Sequence, residues 1–386
     1  MKLSASKRSF NICKAEIRNM TVECQKLKGI NLAQGVCDMR VPDPVIEGAC
    51  AAFKSGLNTY SRHDGLDILR EAISEKLRMH NNINVDPNSE IVVSSGSTGA
   101  LYCALLALLD PGDEVIIFEP FYTYHLNTIN AVGAVPRIVK LYPPEWKFDR
   151  EELGKVLSRK TKGIIINTPN NPTGKVYSKD ELYLIAEFVK NHNLFLFSDE
   201  IYEYFVYDSR EHISPGSLDF AKENTITISG YSKTYSITGW RVGYCACQRK
   251  WAEIIGYVND LIYVCAPTPL QYGVAMGIKK LDQAYYKKLR SDFEKKRNII
   301  TKGLKDAGFS FIEPEGAYYI LAESSHIPGS SSKEKAMELL RKTGVAAVPG
   351  SDFYLRNGGS SLLRFCYAKE DEILYEACER LRRMNR

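Results

Sequence analysis

Between Ile91 and Ser229 short apolar runs alternate with stretches of helical length, and nothing else in the chain constrains its fold as strongly. Ile91–Ser94, Glu114–Phe118, Gly163–Ile166, Leu194–Phe197 and Thr225–Ser229 are each four or five residues long, the length and character of a strand buried on both faces. Ala100–Leu109 and Lys179–Asn191 fall between them and read as helices. Strands and helices in alternation build a mostly parallel sheet sandwiched by helices, the α/β class. The pattern changes near Ala284: Lys287–Lys305 reads as a long charged amphipathic helix, and helices near Lys333–Thr343 and Glu370–Arg383 bracket short strands. That is the pattern of a smaller α+β domain. With 386 residues, two domains are expected: a large one over 40–283, and a small one made of 1–39 and 284–386.

Charge and cysteine usage narrow the function classes. The net charge of +5 is small for this length, and Lys and Arg are interspersed with acids, so no nucleic-acid partner is expected. No run of about 18 apolar residues is present, and none is expected to span a membrane. The start, Met-Lys-Leu-Ser-Ala-Ser-Lys-Arg, lacks the apolar core of a signal peptide. The ten cysteines form no C-x-x-C pair, so no metal site is expected; unpatterned thiols suit a reducing compartment, and the cytoplasm is the expected location.

The segment Thr225–Tyr244, TITISGYSKTYSITGWRVGY, places Lys233 just beyond a strand and Arg241 eight residues further on. A lysine amine forms a Schiff base with an aldehyde, and arginine is a natural partner of phosphate. An aldehyde and a phosphate on one small molecule describe pyridoxal phosphate. Such a cofactor needs a carboxylate at its ring nitrogen. Asp199 follows the apolar run Leu194–Phe197, at the strand end where open α/β sheets bind ligands, with Glu200 as the competing carboxylate. Ile91–Ser94, then Ser95-Gly96-Ser97-Thr98-Gly99, then a helix is the layout of an anion site, in which free amides and the positive helix end face the ligand. The lysine of a P-loop and the Gly-x-Gly-x-x-Gly fingerprint are both missing, which disfavours a nucleotide. Asn167–Gly174, rich in Asn, Pro and Gly, is a rigid turn after a strand, and Asn171-Pro172 is a candidate for a cis bond.

Taken in order, these motifs resemble class I and II aminotransferases, the fold-type I pyridoxal-phosphate enzymes of the aspartate aminotransferase superfamily. The resemblance runs from about Asn31 to Arg364 and implies a sheet of the seven-stranded type in the large domain. It implies that Lys233 carries the cofactor and moves the substrate proton. Asp199 would hold the ring nitrogen, while Tyr202 and Asn171 would reach the phenolic oxygen. Gly96, Ser97, Thr98 and Arg241 would take the phosphate. Tyr122 would stack on the ring, with Phe121 as the alternative. Where the family often has serine, this chain has Gly230, leaving Ser232 or Ser229 to supply a hydroxyl. Arg364 would grip the substrate α-carboxylate, and Gly35, Tyr122 and Asn171 would also contact substrate. Tyr60, and secondarily Thr268, would reach the phosphate of a neighbouring subunit, so a homodimer with shared active sites is implied.

The implied reaction is ping-pong transfer of an amino group between an L-amino acid and a 2-oxo acid, with 2-oxoglutarate and glutamate as one pair. The same scaffold supports C–S β-lyases, but Asn-Pro-Thr-Gly and Thr-Gly-Trp-Arg are the aminotransferase forms of the two motifs. A non-catalytic cofactor-binding regulator is the third reading; the roughly 30 residues before Asn31 are short for a winged helix. The donor's side-chain pocket has no residue assigned by the sequence.

Overall fold

The computed structural model describes residues 3–356 and 358–385. Seven strands form the larger sheet: β1 (Ile91–Ser94), β2 (Glu114–Glu119), β3 (Val135–Lys140), β4 (Thr161–Asn167), β5 (Phe195–Asp199), β6 (Thr225–Gly230) and β7 (Gly243–Ala246). Their spatial order is β1-β7-β6-β5-β4-β2-β3. Only β7 is reversed: it pairs antiparallel with both β1 and β6, whereas the other pairs are parallel. Every residue of β1, β2, β6 and β7 is buried, as expected of strands covered on both faces.

The helix Gly96–Leu108 is apolar on all sides because it packs against the sheet and against the helices Thr123–Val132 and Arg249–Tyr263. It begins four residues before the Ala100 expected from the sequence, so most of the small-residue loop is its first turn. Gly96 makes this possible: its φ is +75°, and a side chain there would overlap the Arg241 guanidinium. The charged helix of the C-terminal region spans Gln283–Asp306, a turn longer than expected, because the Asp282 carboxylate caps the Ala284 and Tyr285 amides.

A second sheet of four antiparallel strands has the order Val348–Pro349, Leu362–Cys366, Tyr319–Glu323, Ser310–Phe311. Ile30–Asn31 pairs in parallel with Val345–Ala346, which ties the N-terminal segment to the C-terminal region. Met20, Cys24 and Leu32 share one core with Leu339, Phe365 and Leu381. Among the described residues no helix is long and apolar enough to cross a membrane.

Beyond β5 lies a buried polar cluster. The Lys76 ammonium is 2.5 Å from Glu203 Oε2, and Ser229 donates to Glu203 Oε1 at 2.8 Å. Glu200 accepts from Ser214 and lies 2.8 Å from His212 Nε2. Burial alone would raise the Glu203 pKa, but the charge of Lys76, with His80 and His212, holds it below the usual carboxylate range. A buried carboxylate stripped of its cation is costly. We therefore expect Lys76→Met to destabilise the fold by about 3–5 kcal/mol, read as a lower thermal midpoint. Adding Glu203→Gln should recover a large part of the loss. An unchanged midpoint in Lys76→Met would show that the pair contributes nothing.

Candidate active site

The carboxyl ends of β2, β4, β5 and β6 open on one cavity of about 510 Å³. Gly35, Ser97, Thr98, Tyr122, Asn171, Asp199, Tyr202, Ser232, Lys233, Arg241 and Arg364 all line it, drawn together from positions more than 300 residues apart. Lys233 follows β6, and its Nζ donates to the Gly35 carbonyl at 3.3 Å. Burial pushes its amine down to about 8; Arg241 and Arg364 push the same way, against the opposing pull of Cys366 and Cys37. Gly35 has no room for a side chain, because a Cβ would overlap the Tyr319 hydroxyl.

Asp199 ends β5. Its Oδ2 is 2.8 Å from His125 Nε2, and its Oδ1 accepts the Ile201 amide at 3.2 Å. The adjacent Glu200 is fully buried, faces the Lys76 cluster and does not line the cavity. Of the two carboxylates, the one at the cavity is that of Asp199. Tyr202 and Tyr319 have hydroxyls 3.1 Å apart, and burial raises both pKa values, so both phenols keep their protons near neutrality. Tyr122 lines the cavity, whereas Phe121 is buried in the core around the helix Gly96–Leu108.

The end of the cavity expected to take a phosphate is equally defined. Ser95, the N-cap of that helix, makes no side-chain cap bond, so the first-turn amides of Gly96, Ser97 and Thr98 are left for a ligand. Arg241, held in the left-handed region at φ 55°, donates to the carbonyls of Thr238 and Ser95 beside them. Of the two candidate hydroxyls, Ser232 faces the cavity and Ser229 is committed to Glu203. Gly230 is tightly packed: a Cβ there would press on the backbone of Val242 and Gly243 at 3.0–3.1 Å.

Arg364 is 2% exposed and makes no ion pair among the described residues. It lies inside the four-stranded sheet, not at its edge, in register with Leu321 and Val348. Its guanidinium donates to Asn171 Oδ1 at 2.8 Å and to the Ala33 carbonyl at 2.7 Å, and it stacks 4.3 Å from the Tyr319 ring centre. Among the described residues the Asn171 side-chain nitrogen donates to no protein acceptor, and the Asn171–Pro172 bond is cis.

Two predicted residues do not reach this cavity. Tyr60 is 81% exposed, and Thr268 is buried, with its hydroxyl on the Thr59 carbonyl at 2.8 Å. Within one chain, then, neither contributes to the site. Conversely, His125, Tyr319 and the helix Glu16–Lys26 are part of the site and were not singled out from the sequence. For His125 a signal existed: a histidine on the same helical face as Ile129 and Val132 needs a partner once that face is buried.

An amine with a lowered pKa, a fixed carboxylate, free helix-terminal amides, and two arginines without an ion pair among the described residues define the site of a pyridoxal-phosphate enzyme, and the residues present fit that cofactor. The family model for aminotransferase class I and II matches residues 28–381, and the chain belongs to that family. It is 37% identical over 360 residues to the probable aspartate/prephenate aminotransferase of Aquifex aeolicus (strain VF5), covering 92% of this chain and 90% of that one. To kynurenine–oxoglutarate transaminase 3 of Rattus norvegicus it is 35% identical over 402 residues, covering 95% and 88%. The solved structure of N-succinyldiaminopimelate aminotransferase from Mycobacterium tuberculosis superposes with a TM-score of 0.94 at 31% identity, over 99% of this chain and 100% of that one. The chain is a pyridoxal-phosphate-dependent transaminase.

The lowered Lys233 pKa has a pH signature. Only the neutral amine captures an aldehyde, so cofactor loading of the apo-protein should accelerate up to about pH 8 and level off above it. Loading followed by visible absorbance that still climbs steeply at pH 9.5 would show an unshifted amine.

Proposed function

We propose that the cavity residues act as follows in amino-group transfer. Lys233 binds the cofactor aldehyde and, once free, passes the proton to and from the substrate Cα; at about 8 its pKa suits both directions. Asp199 presents its carboxylate to the ring nitrogen, and His125 fixes that orientation. Tyr202 and Asn171 offer donors to the phenolic oxygen, and Tyr122 covers the ring. The amides of Gly96, Ser97 and Thr98, with Ser232 and Arg241, hold the phosphate. When bound, the cofactor supplies the electron sink for charge developing at Cα. Arg364 takes the α-carboxylate in a bidentate fork and so decides which Cα bond stands ready to break. The observation that carries this reading is the pairing, in one cavity, of the Lys233 amine with a buried arginine that has no carboxylate of its own.

The proposal extends to the acceptor, the assembly, the domains and the location. One substrate pair is 2-oxoglutarate and glutamate, in keeping with the oxoglutarate named for the rat relative. The working unit is a homodimer in which Tyr60 completes the partner's phosphate site. Supporting this, Tyr60, Tyr257 and Leu261 are all exposed, and the loop carrying Tyr60 is held against the helix Arg249–Tyr263 by the Asn259–His63 hydrogen bond at 2.7 Å. The dimer would be read directly by light scattering; a monomer with full activity would reject it. The division into 40–283, and 1–39 with 284–386, rests on the separate sheets and on the pairing of Ile30–Asn31 with Val345–Ala346. The cytoplasm suits ten cysteines that are all free.

The first test is an absorption spectrum of the holoenzyme titrated with amino acids and then with 2-oxoglutarate. A visible band lost on adding a donor and restored by the oxo acid is expected. Lys233→Ala should abolish turnover, and Asp199→Ala should lower the rate roughly 100- to 1,000-fold. Undiminished transamination in either variant would reject the corresponding role, and release of ammonia and pyruvate from a β-substituted donor without transfer would favour the lyase chemistry.

A further inference from the structure

We infer that Arg18 is the specificity-determining residue for the substrate side chain, and that it binds the distal carboxylate of a dicarboxylic amino acid or 2-oxo acid. This rests on the transaminase reading. The charged side chains lining the cavity are Arg18, Lys233, Arg241, Arg364, Asp199 and Asp352. Four of these have a place in the chemistry already: Lys233 at the aldehyde, Asp199 at the ring nitrogen, Arg241 at the phosphate and Arg364 at the α-carboxylate. Asp352 is occupied by protein, since its Oδ2 accepts the Glu16 amide at 2.6 Å. Arg18 is left as a cation at the cavity wall with no ion pair among the described residues, even though its neighbour Glu16 is paired with Lys333 at 2.9 Å. With cofactor phosphate and α-carboxylate bound, the positive charge not yet matched by a ligand is that of Arg18.

Helix geometry places it there. In Glu16–Lys26, Arg18 and Val22 are four residues apart and share one face, and both line the cavity, as does Ala15 one turn earlier. The other side of the helix is anchored by Met20 and Cys24, buried in the core, and Thr21, at the cavity wall, is tied to the N-terminal segment by the Asn31 Nδ2 donor at 3.2 Å from its Oγ1. The backbone that carries Arg18 is therefore held in place, while its long, exposed side chain is free to meet a ligand. An arginine fork matches a carboxylate in two parallel hydrogen bonds, which a neutral or apolar side chain cannot use.

The test compares half-reactions of the holoenzyme by absorbance, wild type against Arg18→Met, which keeps the stem and removes the charge. With aspartate, glutamate and 2-oxoglutarate, kcat/KM should fall roughly 10- to 100-fold, chiefly through KM. With alanine, phenylalanine and pyruvate it should stay within about threefold, since these have no second carboxylate for the lost charge to meet. Arg18→Lys should restore part of the dicarboxylate activity. An equal loss for both substrate classes, or no loss for either, would overturn the assignment, as would a wild-type enzyme that turns over monocarboxylic substrates but not dicarboxylic ones. A wild-type holoenzyme that transaminates neither class would instead overturn the functional reading on which the assignment rests.

Discussion

A guanidinium buried without a carboxylate partner is expensive, and Arg364 concentrates that expense where three parts of the chain meet. It rises from the middle of the four-stranded sheet, donates to Asn171 on the turn after β4 of the larger sheet, and donates to Ala33 of the N-terminal segment. The ring faces of Tyr319 and Phe353 enclose it, at 4.3 and 5.0 Å. Neutral acceptors and aromatic faces make the cation tolerable without cancelling it. The cavity thus keeps an attraction for an anion that a salt bridge would have quenched, and the fold tolerates the arrangement because its cores are extensive.

The two acids at the end of β5 show how a one-residue difference separates function from stability. Successive residues of a strand point to opposite faces. Asp199 therefore turns to the cavity and meets His125, while Glu200 turns to the cluster of Ser214, His212 and, through Asn81, Glu203 and Lys76. The sequence puts both carboxylates at the same strand end and offers no local signal to tell them apart. The partners that decide it lie at positions 76, 125 and 212, and only the assembled sheet brings them near.

Of the parallel strands, β2, β4, β5 and β6 were legible because burial on both faces leaves continuous apolar runs, and β2, β5 and β6 each extend only a residue or two beyond the runs that mark them; the edge strand β3 was not marked, because half of it is exposed and it carries no such run. The lysine and Asn-Pro-Thr-Gly segments were legible because their chemistry is local. Less was visible where a single residue's backbone freedom shifts a boundary, as Gly96 does for the helix that follows it. Contacts across long sequence separations were also hidden. His125 has meaning only beside Asp199, and the cavity face of Glu16–Lys26 is indistinguishable from any other solvated helical face until the pocket is opposite it. Tyr60 is exposed and lies outside the site of its own chain.

The short parallel pairing of Ile30–Asn31 with Val345–Ala346 has a mechanical consequence. It couples the helix that carries Arg18 to the same core as the strand that carries Arg364. The two cations that would hold the ends of a substrate are mounted on one frame, like the jaws of a caliper locked at a set opening. The length of substrate that fits between them is then fixed by packing among Met20, Leu32, Val345 and Phe365, core residues that do not line the cavity. Substitutions in that packing would reset the gauge, altering which carbon-chain length is accepted while leaving the lysine, the carboxylate and the phosphate cradle untouched.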